Sequence, residues 1–259
     1  MNLKCPLCEK QLIKNSKTFT CLNNHCFDIA KQGYLNLHMS SSQKNFGDDK
    51  EMVEARANFL NKGYYLSLKN KLNTIMKQLN IETLVDCACG EGYYTKDFPV
   101  ASIGVDLSKA AIIRASKVDQ KNQYLISSIF KLPLYDKCTD AITVLFAPIA
   151  IKEIERLLKD EGYLISVSTG PNHLWQLKEV LYAIPYKNQI NNPETSLKKI
   201  NTYKIHKKIT LTNQEDINNL FKMTPYYYKT SLDDKSKLNK LNYLETEIEF
   251  IINVYQNKL

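Results

Sequence analysis

The spacing of apolar positions divides the chain into segments of different period. In GDDKEMVEARANFLNKG, residues 47–63, they recur at helical intervals, with Asp48 or Asp49 able to cap the start and Gly63 the end. A second amphipathic helix is predicted over residues 65–79. The period then changes. LVDCA reads as a short buried strand and CGEG as a turn, and the residues that follow are expected to open a helix. ASIGVDLSKAAIIRAS repeats the order strand, acid, helix. YLISSIFKLPL, TDAITVLFAP and EIERLLKDEGYLISVST continue it, and KKITLT and EIEFIINVYQ read as two late strands forming an edge hairpin. Such alternation predicts an α/β fold around a parallel sheet. The Asn/Lys-rich stretch 187–201 reads as an exposed insertion.

The amino-terminal segment is too small to be held by apolar burial alone. It carries Cys5 and Cys8 as a CxxC, then Cys21 and His25, with Cys26 beside them. Each CxxC-like turn lets two donors reach one ion, and thiolates with an imidazole suit four-coordinate zinc. Cys5, Cys8, Cys21 and His25 are the expected ligands, with Cys26 a rival to His25. A protein-filled set leaves no open position, so the role expected is structural, with a folding contribution of roughly 10–16 kcal/mol by analogy with zinc-finger peptides. A redox CxxC is the alternative reading.

Composition narrows the setting. The chain has 259 residues, 44% of them hydrophobic, enough for a real core. No apolar run approaches the roughly 18 residues that span a bilayer, and MNLKCPLC lacks an apolar signal region, so no membrane association and a cytoplasmic location are expected. Seven cysteines, an odd number, argue against a disulfide framework. The net charge of +8 favours polyanionic partners. Lys4, Lys10, Lys14, Lys17 and Arg56 are expected to meet phosphates as a patch.

In parallel α/β sheets ligands sit beyond the carboxyl ends of the strands. There the loop Cys89-Gly90-Glu91-Gly92 follows the strand that carries Asp86, and Asp106 ends the next strand. An acid at that place accepts from both hydroxyls of an adenosine ribose, in NAD and S-adenosylmethionine proteins alike. The dinucleotide fingerprint needs G-x-G-x-x-G, whereas Ala88 and Thr95 occupy its first and third glycine positions. Glu91 would repel a pyrophosphate and tolerate a cationic sulfonium. S-adenosylmethionine is therefore the cofactor expected.

Taken in order, CPLC…C…H, EMVEARANFLNKGYY, VDCACGEGYYT, GVDLSK, KLPL, FAP, GPNHLWQLK and MTPYYY resemble the bacterial 23S ribosomal RNA (guanine-N1) methyltransferase family over nearly the whole chain. The resemblance implies a small zinc-ribbon domain ahead of a Rossmann-like class I methyltransferase domain. The expected division is 1–38 for the zinc-binding RNA-recognition domain, 39–63 for a linker helix and 64–259 for the methyltransferase domain. It implies a cofactor shell of Tyr65, Gly90, Glu91, Asp106, Leu107 and His173, to which Asp86 and Gly92 of the loop are added. It also implies a homodimer acting on a guanine in a 23S rRNA hairpin loop of domain II. Glu91 and His173 are candidate acceptors for the N1 proton. Phe146 is a candidate for base contact, and Tyr93 and Tyr94 for sulfonium or base contact. Ala88 stands where the family has Gly, Ser67 where Pro is usual, and Asp160-Glu161-Gly162 replaces a Pro-Gly-Gly turn. The metal and cofactor sites are expected to be separable. Other acceptors, whether another RNA or a small molecule, and a non-catalytic RNA-binding protein remain open at this stage.

Overall fold

The computed structural model of the chain describes residues 1–39, 47–190 and 193–258. Three short antiparallel strands come first: β1 (Leu12–Asn15), β2 (Thr18–Cys21) and β3 (Cys26–Asp28). β4 (Leu35–Asn36) then leaves this ribbon for the edge of a larger sheet. Residues 40–46 of the expected linker lie outside the described residues. α1 (Lys50–Asn61) begins at Asp49, whose carboxylate accepts from the Met52 N–H, and the chain turns at Gly63 with φ +85°. α2 (Leu66–Gln78) buries Leu68, Leu72, Ile75 and Met76 along one stripe.

The larger sheet is built from β5 (Thr83–Cys87), β6 (Ala101–Asp106), β7 (Gln123–Ile126), β8 (Thr139–Leu145) and β9 (Leu158–Thr169), with α3 (Lys109–Val118), α4 (Ile151–Leu157) and α5 (Trp175–Leu181) around it. β10 (Lys198–Leu211), α6 (Gln214–Lys222), α7 (Tyr226–Lys229), α8 (Leu232–Leu238) and β11 (Leu244–Gln256) complete the chain. The strand order is β10-β11-β9-β8-β5-β6-β7-β4. β4 to β9 run parallel, β11 is antiparallel to β9, and β10 is antiparallel to β11. The order reverses at β5, which places the ligand crevice at its carboxyl end. Among the described residues no helix is long and apolar enough to cross a membrane.

One local expectation is corrected and two gain detail. No α-helix follows CGEG: a single 3-10 turn, Thr95–Asp97, stands there. Positive φ at Gly90 and Gly92, then Pro99 close ahead of β6, leave too little chain for a helix. The late strands pair as expected, but α6, α7 and α8 fill their connection, so they form no tight hairpin. The described part of residues 187–201 is mostly exposed, as expected, and is tied down at several points. Asn188 bonds to Gly170, Thr195 and Ser196 bond to Glu155, Leu197 is buried, and β10 has begun by Lys198; residues 191 and 192 lie outside the described residues.

The sheet has two different coverings. On one face Leu84, Ile165, Val167 and Ile252 pack against apolar residues of α2, α5 and α6. On the other, Val85, Ile103, Val105 and Val144 lie under Ile154 and Leu157 of α4, and under Leu3, Cys5, Leu12 and Cys21 of the ribbon. The β7–β8 connection forms no helix, and the ribbon fills that place. Leu3 bridges to Leu134, and the Lys4 N–H donates to the Pro133 carbonyl at 2.8 Å. The ribbon and the sheet thus share one core.

Candidate functional site

The ribbon brings Cys5, Cys8, Cys21 and His25 together. Their donor atoms all lie within 4.8 Å of one another. Cys8 Sγ is 3.5 Å from Cys21 Sγ, and His25 Nδ1 is 3.5 Å from both Cys5 Sγ and Cys21 Sγ. Tetrahedral zinc with bonds of about 2.0–2.3 Å sets its ligands roughly 3.5–3.8 Å apart, so the donors fit the ion. Cys26 is excluded: it is exposed, and its sulfur accepts from the Thr20 hydroxyl at 3.8 Å.

The second centre lies at the carboxyl ends of β5 and β6. Ala88, Gly90 and Gly92 have φ of +58°, +56° and +78°. A Cβ on Gly92 would stand 3.0 Å from both Ala115 Cβ and Tyr124 Oη, so packing against α3 and β7 requires glycine there. Gly90 instead turns bare backbone to the crevice. Its N–H donates to Asp106 Oδ2 at 2.9 Å, and the Ser108 N–H donates to Oδ1 at 2.8 Å. Asp106 is thereby fixed at the mouth of the crevice, with lone pairs left for two hydroxyls. Leu107, half-buried, follows it ahead of the α3 cap, Ser108.

Asp86 lies beneath this loop. Its carboxylate accepts from Thr95 Oγ1 at 2.5 Å and Thr143 Oγ1 at 2.7 Å. Both oxygens are taken, so Asp86 braces the loop from below. Burial pushes its pKa up to about 6, against the lowering effect of the two hydroxyls. Burial also raises Glu91 and Asp106. Arg56 is turned inward from α1 rather than outward to phosphates: it pairs with Asp48, and its Nη1 lies 3.6 Å from Glu91 Oε2. Asp48, Asp86, Glu91 and Asp106 outnumber Arg56, and their mutual repulsion adds to the raised pKa values. Glu91 Oε2 and Tyr94 Oη are buried there without hydrogen-bond partners. A surplus of negative charge, bare glycine backbone and unpaired polar atoms fit a cationic adenosyl sulfonium and oppose a pyrophosphate.

An aromatic wall borders the crevice on the β9 and β11 side. Tyr65 and His173 meet there, Tyr65 Oη standing 3.3 Å from His173 Nε2. His173 Nδ1 accepts the Glu249 N–H at 3.1 Å, so the neutral ring carries its proton on Nε2 and donates it to Tyr65. Burial lowers the His173 pKa to about 3. With Nδ1 occupied and Nε2 protonated, His173 has no free acceptor for a substrate proton. Phe250 packs against both rings and stands 5.5 Å from Phe146. Phe146 follows β8 in the left-handed region at φ +58°, with 44% of its surface exposed. Tyr93 is already engaged, with Lys69 Nζ 3.5 Å from its ring centre. Tyr226 is buried beside Lys178, and Tyr228 donates to Asp49. The roles of Asp48 and Arg56 were missed from sequence; the available signal was an arginine on the buried stripe of α1, between Met52 and Leu60. A groove of about 460 Å³ between the ribbon and the amino ends of β5 and β6, lined by Met1, Lys14 and Lys121, lies at the opposite end of the strands.

The chain was compared with known proteins. A family model described as RlmA, N-terminal, a zinc ribbon, matches residues 3–45, and one described as a methyltransferase domain matches residues 85–166. The 23S rRNA (guanine(748)-N(1))-methyltransferase of Streptomyces fradiae is 32% identical over 69% of this chain and 67% of that one. A Bacillus subtilis protein named as a candidate 23S rRNA (guanine-N(1)-)-methyltransferase is 25% identical over 95% of this chain and 94% of its own. The expected fold is therefore correct: a Rossmann-like class I methyltransferase sheet preceded by a zinc ribbon, taking S-adenosylmethionine as cofactor and zinc as a structural ion. Ribbon, acidic glycine loop and similarity along most of the chain agree, and the chain belongs to the 23S rRNA (guanine-N1) methyltransferase family.

Proposed function

We propose that this chain transfers a methyl group from S-adenosylmethionine to N1 of an unpaired guanine in a hairpin loop of domain II of 23S rRNA. The Streptomyces fradiae relative is named for guanine 748 of the same RNA, which supports the substrate class. N1 lies on the Watson–Crick edge, so the base must be unpaired or flipped to be reached. The cofactor supplies an electrophilic methyl carbon. Asp106 and the Gly90 backbone hold its adenosine, and Phe146 offers the incoming base a face to stack on. Phe146 carries this reading: a large ring held exposed in a strained conformation beside the crevice is costly unless a flat ligand covers it. Tyr65, fixed by His173, stands in the same aromatic wall, joined to Phe146 through Phe250. Exposed Lys10, Lys14 and Lys17 on the ribbon supply phosphate contacts. Lys4 is not among them, because it is drawn to Glu9 and the Tyr135 ring. The reading includes a homodimer presenting one cleft to RNA, and action in the cytoplasm.

The test is mass-spectrometric mapping of large-subunit RNA from cells with and without the gene. One N1-methylguanine should disappear on deletion and return with the wild-type copy. An unchanged modification pattern would overturn the substrate.

A further inference from the structure

The groove at the amino ends of β5 and β6 takes no part in the chemistry of the crevice, yet both parts of the chain build it. One wall is the ribbon. Lys14 and Phe19 stand opposite each other across β1 and β2, on the side that also carries Leu12 and Cys21. Leu12 and Cys21 are buried against the sheet, whereas Phe19 is half-buried and Lys14 is exposed at the rim. The other wall is the start of the sheet: Ala101 and Ser102 of β6, Gln123 of β7, and Lys121 on the connection from α3. The volume, about 460 Å³, falls within the roughly 300–1,000 Å³ of clefts that hold small ligands.

Charge sets this groove apart from the crevice. Lys14 and Lys121 line it, no carboxylate does, and neither lysine forms an ion pair among the described residues. Asp119, two residues ahead of Lys121, is buried and engaged by the Tyr124 hydroxyl, the Asn122 amide and the Lys121 N–H. Two ammonium groups with no anion between them complement a phosphate, and a phenyl ring beside them complements a base.

We infer that the groove seats an unpaired nucleotide of the RNA substrate, its phosphate between Lys14 and Lys121 and its base against Phe19. This rests on the proposed RNA substrate and extends it to a second place on the molecule. β5 has five residues at about 3.3 Å each, so the groove lies on the order of 17 Å from the strand ends where the methyl group is transferred. The seated nucleotide is therefore a different one from the methylated guanine. Holding RNA at two points a fixed distance apart selects hairpins in which an unpaired nucleotide and the target guanine have that spacing.

Three variants tested by fluorescence anisotropy with the hairpin RNA separate the parts of this inference. Lys121 lies on neither the ribbon nor the crevice, so a grip by the ribbon alone leaves Lys121→Gln without effect. The groove predicts weaker binding and a slope of log affinity against log salt smaller by about 0.7. Ala101→Glu, which puts a carboxylate on the groove wall, should weaken binding further. Phe19→Leu keeps an apolar seal against the ribbon core and removes the ring; affinity should fall about 5-fold or more, the range of base–aromatic stacking, with the salt slope unchanged. Titration with S-adenosylhomocysteine, the cofactor without its methyl group, should match the wild type in all three. Wild-type RNA binding in all three variants would overturn the inference while leaving the substrate in place. A loss confined to Lys121→Gln and Ala101→Glu would overturn the base seat in favour of a backbone contact. Parallel losses of RNA and S-adenosylhomocysteine binding would overturn it too, because the variants would then act through the fold. A wild-type protein that neither binds nor methylates the hairpin sinks the substrate reading, and this inference with it.

Discussion

Asp86 is a carboxylate whose burial works against its own charge. With a folded-state pKa near 6 and an unfolded value near the ordinary 3.8, the folded protein binds more protons than the unfolded chain between about pH 4 and 6. Stability therefore falls as pH rises through that window and levels off above it. A shift of this size corresponds to roughly 2–3 kcal/mol, and raised pKa values at Glu91 and Asp106 act with the same sign. Asp86→Asn keeps the shape and removes the charge. Its chemical-denaturation curves should show a weaker pH dependence between pH 4 and 6, and higher stability than the wild type at pH 7.5. An unaltered slope would show that Asp86 is not the titrating group. Ala88 presents a different cost. A non-glycine residue at φ +58° is strained, so Ala88→Gly should stabilise by about 0.5–1 kcal/mol in the same measurement, with cofactor affinity retained. At Phe146 the proposed base contact would give the strain a use. Phe146→Ala should keep S-adenosylhomocysteine affinity by calorimetry while lowering RNA methylation about 10-fold or more, the range of base–aromatic stacking.

At the scale of elements, whatever the local period carried was legible in the sequence, and what depended on distant packing was not. α1 and α2 were readable from apolar spacing, and β5 and β6 from short apolar runs with an acid at or next to their ends. The zinc set was readable because two ligand turns impose their own spacing. α6 went unread although Asn213 caps it and Ile217, Leu220 and Phe221 form its stripe, because the surrounding polar sequence resembles a loop. Arg56 was taken for a surface charge because its partners Asp48 and Glu91 are joined to it only by the fold. Nor did the sequence reveal what the ribbon packs against. Cys5 and Cys21 lie in the same buried cluster as Val85, Val105 and Leu125 of β5, β6 and β7, next to the glycine loop that follows β5. The separability expected from sequence is thereby revised. Cys21→Ser, or metal removal by a chelator, should lower the midpoint of one cooperative unfolding transition and weaken S-adenosylhomocysteine binding along with it. A melt in which the ribbon unfolds first, with cofactor affinity intact, would show two independent units.

For the whole molecule, the net charge of +8 and the charge of the crevice have opposite signs. Four carboxylates against two guanidiniums, Arg56 and Arg114, make the crevice unfavourable to phosphate, so it is poorly suited to hold an RNA substrate by its backbone. The backbone must be gripped elsewhere and only the base delivered to the crevice. The ribbon is suited to this, since Lys10, Lys14 and Lys17 are exposed while its other face is committed to the sheet. Phosphate contacts release counterions, and for single strands each lowers the slope of log affinity against log salt by about 0.7. Replacing Lys10, Lys14 and Lys17 together by Gln should therefore reduce that slope by roughly 2 for a hairpin RNA, measured by fluorescence anisotropy across a salt series. S-adenosylhomocysteine affinity should not change, because none of the three touches the crevice. An identical slope in the variant would move the phosphate grip away from the ribbon, and a loss of cofactor affinity would mean that these lysines act through the fold rather than on the RNA.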